Sequence, residues 1–345
     1  MYTARAACAT HFSLHFGGLT VIGIGQVGNH DIHATELDGT LFVSGGLAFA
    51  GFPVQYRVFD ELLGYTAATG SWRVVSRLPE RRTYNGLAAM AGEVWVCGGA
   101  DGSHGHAGEL GDRVPSSRCF AYSVATDCWR ECSSMSVARI ECTTLFVNGR
   151  LYTFGGASAS EAGTSIDVVE SIGPGESSWR IEELAMPTPL RQFSGCVLNG
   201  KVYLCGGCEQ HGGAPNERDF LEFDPTGGGK GGGSWRSARS SGGDGLPAHP
   251  APPQAPFVAA HDGAVWVVAG NPPRQDGPKD NGLVCPAAAW RYIPGDERWE
   301  QGPAFPTQQA WGASYSFEGQ LVCMSGAHGV HSGTTVFDPR CFGLG

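Results

Sequence analysis

The sequence predicts an all-β chain folded as a six-bladed β-propeller, and three observations carry that prediction. A short apolar strand runs six times into a glycine pair or a near relative of one: Gly45-Gly46, Gly98-Gly99, Gly155-Gly156, Gly206-Gly207, Ala269-Gly270 and Ser325-Gly326. A lone glycine stands six positions upstream of each, at Gly39, Gly92, Gly149, Gly200, Gly263 and Gly319, so the register holds even where the pair has changed. A tryptophan follows an aromatic or apolar residue by seven positions in Tyr65/Trp72, Tyr122/Trp129, Ile172/Trp179 and Tyr292/Trp299. Units recurring 51 to 63 residues apart are supersecondary elements that cannot bury their own faces and must stack on their neighbours.

Each unit reads as four short strands. The first holds stretches such as Gly86 to Met90 or Cys142 to Val147; after a turn at the lone glycine, the second runs as Val94 to Cys97 or Leu151 to Phe154. The third carries the aromatic and the fourth the tryptophan, whose large ring suits the gap between sheets and whose N–H needs a carbonyl. The glycine pair fits a place where one backbone passes close to another and where positive φ is needed. In the fourth unit Phe223 and Trp235 are twelve apart, and removing five residues from the run Gly227 to Gly233 restores seven, which marks a loop insertion. The sixth unit reaches Phe337-Asp338-Pro339 and ends at Gly345 with no tryptophan. Its missing strand has a candidate in the β-branched run Leu19 to Ile24, which would enter the last blade as its outer strand and tie the termini together. The expected organisation is an N-terminal segment 1–28 followed by a propeller 29–345, with blades at about 29–80, 81–136, 137–188, 189–248, 249–305 and 306–345 plus the N-terminal strand. Gly17-Gly18 as a decayed seventh blade is the rival, but fewer than 30 residues precede the first unit, too few for four strands.

With the order glycine pair, aromatic, tryptophan at this period, the chain resembles the kelch-repeat family over residues 29 to 339. The Trp-Asp dipeptide of the other common propeller repeat is absent, whereas Trp-Arg occurs at Trp72, Trp129, Trp179 and Trp235. Ala269 and Ser325 depart from the family pattern without breaking its register. The resemblance implies a recognition platform, since kelch propellers most often act as such, and it implies that arginines leading into the blades bind degrons in the kelch adaptors of ubiquitin ligases.

Composition narrows the classes. Lys plus Arg number 23 against 33 Asp plus Glu, a net charge of -10, which argues against nucleic acid as partner. No stretch of 18 apolar residues marks a membrane span, and Met1 to Phe16 is a poor match to a signal peptide. The 12 cysteines include Cys97 and Cys205 at the ends of second strands and Cys142 and Cys196 in first strands, where a thiol behaves as a small hydrophobe. A reduced chain in the cytoplasm or the nucleus is expected. Cys205-x-x-Cys208 lacks a second pair at zinc spacing. His104, His106, Glu109 and Asp112, with Asp101, gather metal-ligating side chains within twelve residues, but the bland reading, a solvated glycine-rich loop, is preferred and no metal or cofactor is expected. Lys230 is followed by Gly231, so the glycine run around it is no phosphate loop.

No nucleophile–base–acid set stands out. What recurs is polarity leading into each first strand. Counting back 16 or 15 residues from the glycine pair lands on Asn29, Arg82, Arg139, Arg191, Pro253 or Gln254, and Gln309, and two further on stand Asp31, Tyr84, Glu141, Phe193 and Trp311. Equivalent positions in a propeller converge on one mouth of the central channel, and arginines with interleaved aromatics there suit an acidic peptide. The bland alternative is that these arginines pair with neighbouring blades. The expected function is therefore protein or peptide recognition by a monomer, since a closed ring leaves no sheet edge unpaired. The alternative is an enzyme of the sugar-epimerase type in the same mouth.

Overall fold

The computed structural model describes residues 32–50, 55–100, 114–158, 165–209, 220–228, 232–238, 245–251, 253, 255–270, 288–303 and 310–324, and the strands at 13–16, 19–22 and 334–337. Of residues 13–16, 19–22, 48–50, 55–57 and 334–337 the backbone alone is described. Every regular element among them is a strand.

The chain opens with the hairpin β1 (Ser13–Phe16) and β2 (Leu19–Ile22). The first blade is built from β3 (His33–Leu37) and β4 (Thr40–Ser44), then, after a hairpin of β5 (Leu47–Ala50) and β6 (Gln55–Val58), from β7 (Glu61–Thr66) and β8 (Ser71–Arg77). The second holds β9 (Gly86–Met90), β10 (Glu93–Cys97), β11 (Cys119–Ser123) and β12 (Cys128–Cys132). The third holds β13 (Thr143–Val147), β14 (Arg150–Phe154), β15 (Val169–Ile172) and β16 (Arg180–Ile181). The fourth holds β17 (Arg191–Leu198), β18 (Lys201–Cys208), β19 (Phe220–Asp224) and β20 (Ser234–Ser237). The fifth holds β21 (Phe257–His261), β22 (Ala264–Val268), β23 (Ala289–Ile293) and β24 (Arg298–Gln301). Last come β25 (Ala313–Phe317), β26 (Gln320–Met324) and β27 (Thr334–Phe337).

Here the architecture departs from six units of one kind. Five blades are four-stranded antiparallel meanders, while the last unit forms a five-stranded sheet in the order β1-β2-β27-β26-β25. Its own three strands leave β27 an open edge, and β2 fills it antiparallel, Val21 opposite Thr335 and Ile22 opposite Thr334. The N-terminal run is therefore not the outer strand, because β1 lies beyond it. Innermost strands touch in sequence, β3 to β9 to β13 to β17 to β21 to β25, and β25 returns to β3.

The repeated glycines explain the repeated geometry. Six two-residue hairpins join first to second strands; each places Asp38, Ala91, Asn148, Asn199, Asp262 or Glu318 at φ between 46° and 54°, followed by a glycine at φ between 70° and 82°. Both positions left-handed is the turn whose twist matches that of the flanking strands. The glycine pairs also stand at positive φ, and their second N–H reaches across the blade boundary: Gly46 to the Arg82 carbonyl, Gly99 to that of Arg139 and Gly156 to that of Leu190, each at 2.8 Å. A Cβ on Gly98 would lie 2.8 Å from the Arg139 oxygen and one on Gly99 2.6 Å from that of Thr83, so no other residue fits without displacing backbone. Ala269, at φ 51°, takes the left-handed first position without glycine.

The tryptophans sit opposite their aromatic partners, with Tyr65/Trp72, Tyr122/Trp129 and Tyr292/Trp299 ring centroids 5.3 to 5.4 Å apart. The Trp129 indole donates to Ser76 Oγ at 3.0 Å, Trp179 to the Ser133 carbonyl at 2.9 Å and Trp299 to that of Pro247 at 3.1 Å, each on the preceding blade. The core lies between blades: Tyr152, Phe154 and Val169 of the third pack with Val202, Leu204 and Phe223 of the fourth, and Leu41 and Val43 of the first with Phe317 and Val322 of the last sheet. Phe223 pairs with Trp235 and Asp224 with Ser234, so the glycine run between them is an insertion into the turn. Among the described residues no helix is long and apolar enough to cross a membrane.

Candidate functional site

The segments that lead into the first strands converge on one mouth of the channel. There Tyr84, Glu141, Gln192, Ala255 and Trp311 all stand at φ between 50° and 60°. They occupy the same place in successive units, each fourteen residues before the first member of the glycine pair. A left-handed backbone is costly for residues with a Cβ, and such conformations persist where the surroundings hold them. What holds them here is a belt of backbone hydrogen bonds from blade to blade. Glu141 N–H donates to the Tyr84 carbonyl at 2.9 Å, Ala255 N–H to that of Gln192 at 2.9 Å, and Trp311 N–H to that of Ala255 at 3.1 Å. All five line a cavity of about 40 Å³ together with Ile32, His33, Phe193, Ser194 and Gly312.

The mouth therefore gathers Tyr84, Phe193 and Trp311 with the carboxylate-bearing Glu141; Tyr84 and Phe193 are buried and also pack into core clusters, while Trp311 is partly exposed. The carboxylate is fixed from two sides: Arg191 Nε donates to Oε2, and Gln192 Nε2 to Oε1 at 3.2 Å. Its room holds a few waters at most, and below it the channel continues through a second space of about 40 Å³ before widening.

The structure brings Tyr84, Glu141, Phe193 and Trp311 together as the sequence places them, and gives the arginines another task. Arg139 is 0% exposed and donates to Glu170 at 2.6 Å, to the Val168 carbonyl at 2.9 Å and to that of Gly155 at 3.0 Å. Glu170 also accepts the amides of Ser136 and Val137, so this pair stitches one blade internally. Arg191 is 0% exposed and bound to Glu141 across a blade boundary. Arg82, 2% exposed, pairs with Glu80 at 2.9 Å and reaches Ser116 Oγ at 3.3 Å. The guanidinium groups thus brace blades, which corrects the expectation that they form the exposed surface of the mouth. Arg191 is also not the equivalent of Arg82 and Arg139. Leu190 is, because its carbonyl accepts the Gly156 amide as those of Arg82 and Arg139 accept the earlier ones.

Gln192, Ala255 and His33 belong to the mouth and are missed by counting from the arginines. A uniform count of fourteen from the glycine pair finds the first two. Asn29, Asp31 and Gln309 lie outside the described residues, as do His104, His106, Glu109 and Asp112. Among the described residues no group of three or more His, Cys, Asp or Glu side chains is placed to hold a metal ion. The buried cysteines are packing groups: burial pushes the Cys142 thiol up to about 11, and Cys196 and Cys323 are raised by the same cause.

The family model described as Kelch motif matches residues 81–136, the second blade. Kelch repeat and BTB domain-containing protein 12 of Danio rerio is 28% identical over 184 residues, covering 50% of this chain and 29% of that protein. Kelch-like protein 33 of Homo sapiens is 30% identical over 142 residues, covering 41% of this chain and 25% of that protein. The match thus spans less than a third of the length of these curated relatives. The solved structure of YjhT is similar at a TM-score of 0.68 and 15% identity, covering 90% of this chain and 94% of that one, a likeness of fold alone. The glycine pairs and interblade tryptophans recur in other blades, and together with these matches they support a kelch-repeat β-propeller whose second blade carries the Kelch motif.

Proposed function

We propose that the chain is a recognition module that holds a protein or peptide partner at this mouth. The observation that carries the reading is the belt of left-handed residues, which presents Tyr84, Glu141, Gln192 and Trp311 from a rigid backbone. Rigid aromatics around a few oriented polar groups are the composition of interaction hot spots. The partner best suited is a loop with an apolar or aromatic side chain for Trp311 and a hydrogen-bonding group for Gln192, both of which are partly exposed at the mouth. An acidic peptide is less favoured, because Arg82, Arg139 and Arg191 already have carboxylates. A substrate-adaptor role would need a second module, such as the BTB domain in the name of one relative. The epimerase-type alternative needs space and a base at liberty, and a 40 Å³ cavity with a doubly bonded Glu141 speaks for recognition instead. We also read the five-stranded sheet as a sixth blade and residues 29–345 as one propeller closed by 1–28.

The test is partner capture from native lysate with the wild-type chain and with Tyr84→Ala/Trp311→Ala, after both are shown to unfold alike in urea. A protein enriched by the wild type and lost by the variant is expected. Equal retention by both, or no specific protein with either, overturns the reading.

A further inference from the structure

Beyond the narrow section the channel widens to about 370 Å³ at the end where the six hairpins turn. The widening has a cause in the sequence. The first strands place Ala89 and Ala260, partly exposed, on its wall as short side chains where longer ones would narrow it, while the neighbouring Ala88 and Ala259 are buried in core clusters. Leu145 and Val197, partly exposed, add apolar surface, and Phe146 and Tyr315 also line the chamber, Phe146 being 40% exposed.

Polar groups are few. Glu36 is the one charged residue among those lining the chamber. Glu36 is partly buried; among the described residues the buried acids Glu141, Glu170 and Glu222 have the cations Arg191, Arg139 and Lys201. Glu36 has none among the described residues; its Oε1 accepts the Gly39 amide at 2.7 Å. The Tyr315 hydroxyl lies against the Glu36 backbone, and burial raises that phenol above its ordinary range, with the Glu36 charge adding to the effect. The Ser314 hydroxyl, also on the wall, is buried without a hydrogen-bond partner among the described residues. Asp38, Asp262 and Glu318 occupy hairpin turns at the same end and add negative charge there.

We infer that this chamber is a second binding site, distinct from the lead-in mouth, for a small organic ammonium ion with an aromatic or aliphatic body. A mostly apolar cavity with a few oriented polar groups is the general form of a small-molecule site, and its volume falls in the range such sites have. An ammonium group supplies the cation Glu36 lacks and is attracted to the faces of Phe146 and Tyr315, while the body covers the alanine wall. A channel holding only water is the alternative.

Phenethylamine and its neutral counterpart 2-phenylethanol, titrated calorimetrically into the full chain, separate the two. The amine is expected to bind one to one and at least about tenfold more tightly than the alcohol, the worth of one charge-assisted contact. Glu36→Gln is expected to abolish that preference, Ala260→Leu to block both probes, and Tyr84→Ala/Trp311→Ala to leave both bound. No saturable binding at millimolar probe, or binding unchanged by Glu36→Gln, overturns the inference. Loss in the mouth variant would instead place the amine at the other end.

Discussion

Ala91 occupies the first position of a two-residue turn at φ 54°, exposed to solvent, where the other hairpins place Asp, Asn or Glu. Its methyl group gains no burial there and carries the cost of the left-handed backbone. Ala91→Gly is expected to stabilise the fold by about 1 kcal/mol, read as a rise in the urea midpoint at constant slope. Arg139 points the other way. Removing it leaves Glu170 charged and buried, so Arg139→Ala is expected to cost about 3–5 kcal/mol in the same measurement, a loss of fold and not of a partner contact. His249 gives a pH signature. It is 3% exposed beside Trp299, with Nδ1 accepting the Ala251 amide at 3.1 Å, and burial holds its pKa down at about 3. The folded state keeps it neutral while the unfolded chain binds a proton near pH 6.5. Its contribution is whole above that value and is lost as pH falls toward 3, by a few kcal/mol. A His249→Leu variant should lose less stability than the wild type between pH 6.5 and 3; equal losses would show that His249 is not the titrating group. At this scale the sequence showed polar residues leading into blades but not their burial, since an arginine bound to a carboxylate 31 residues on, as Arg139 is to Glu170, reads the same as one exposed.

At the level of the element, the repeat was legible almost to the residue. The strand expected at Gly86 to Met90 is β9 itself, and that at Val94 to Cys97 is β10 short of Glu93. The reason is physical: a left-handed turn and a close backbone crossing each admit little besides glycine, so both leave marks at fixed spacing. Gly99→Ala is expected to destabilise the chain by at least about 3 kcal/mol, because its Cβ meets the Thr83 oxygen and its φ of 86° is strained. The turn of β19 and β20 makes the opposite prediction. Thr66 and Ser71, Ser123 and Cys128, and Ile293 and Arg298 close their turns with four residues between them, against nine between Asp224 and Ser234. Deleting residues 228–232 would restore four and should change stability by less than about 1 kcal/mol, since loop closure depends weakly on length. A larger loss would mean that the insertion packs on the blade. The register of the fourth unit was harder to read, because an arginine one position out of phase drew the count to Arg191 instead of Leu190.

For the whole molecule, the question is what closes the ring and what the closed ring presents. The β2–β27 pairing joins the two ends of the chain, and an exposed β27 edge invites pairing with another molecule. Removing residues 1–28 should therefore lower the thermal midpoint by several degrees and promote self-association, visible by light scattering. Closure by an N-terminal run could be read from the missing last tryptophan; the extra strand β1 could not, since nothing in a repeat pattern marks a strand outside it. Recognition at the lead-in mouth is tested most directly by hydrogen exchange of the chain, alone and bound to a peptide selected against it from a random displayed library. Slowed exchange is predicted in the segments around Tyr84, Glu141, Gln192 and Trp311, with the hairpin end unchanged. Protection confined to the hairpin end or to outer strands such as β8 and β12 would contradict it.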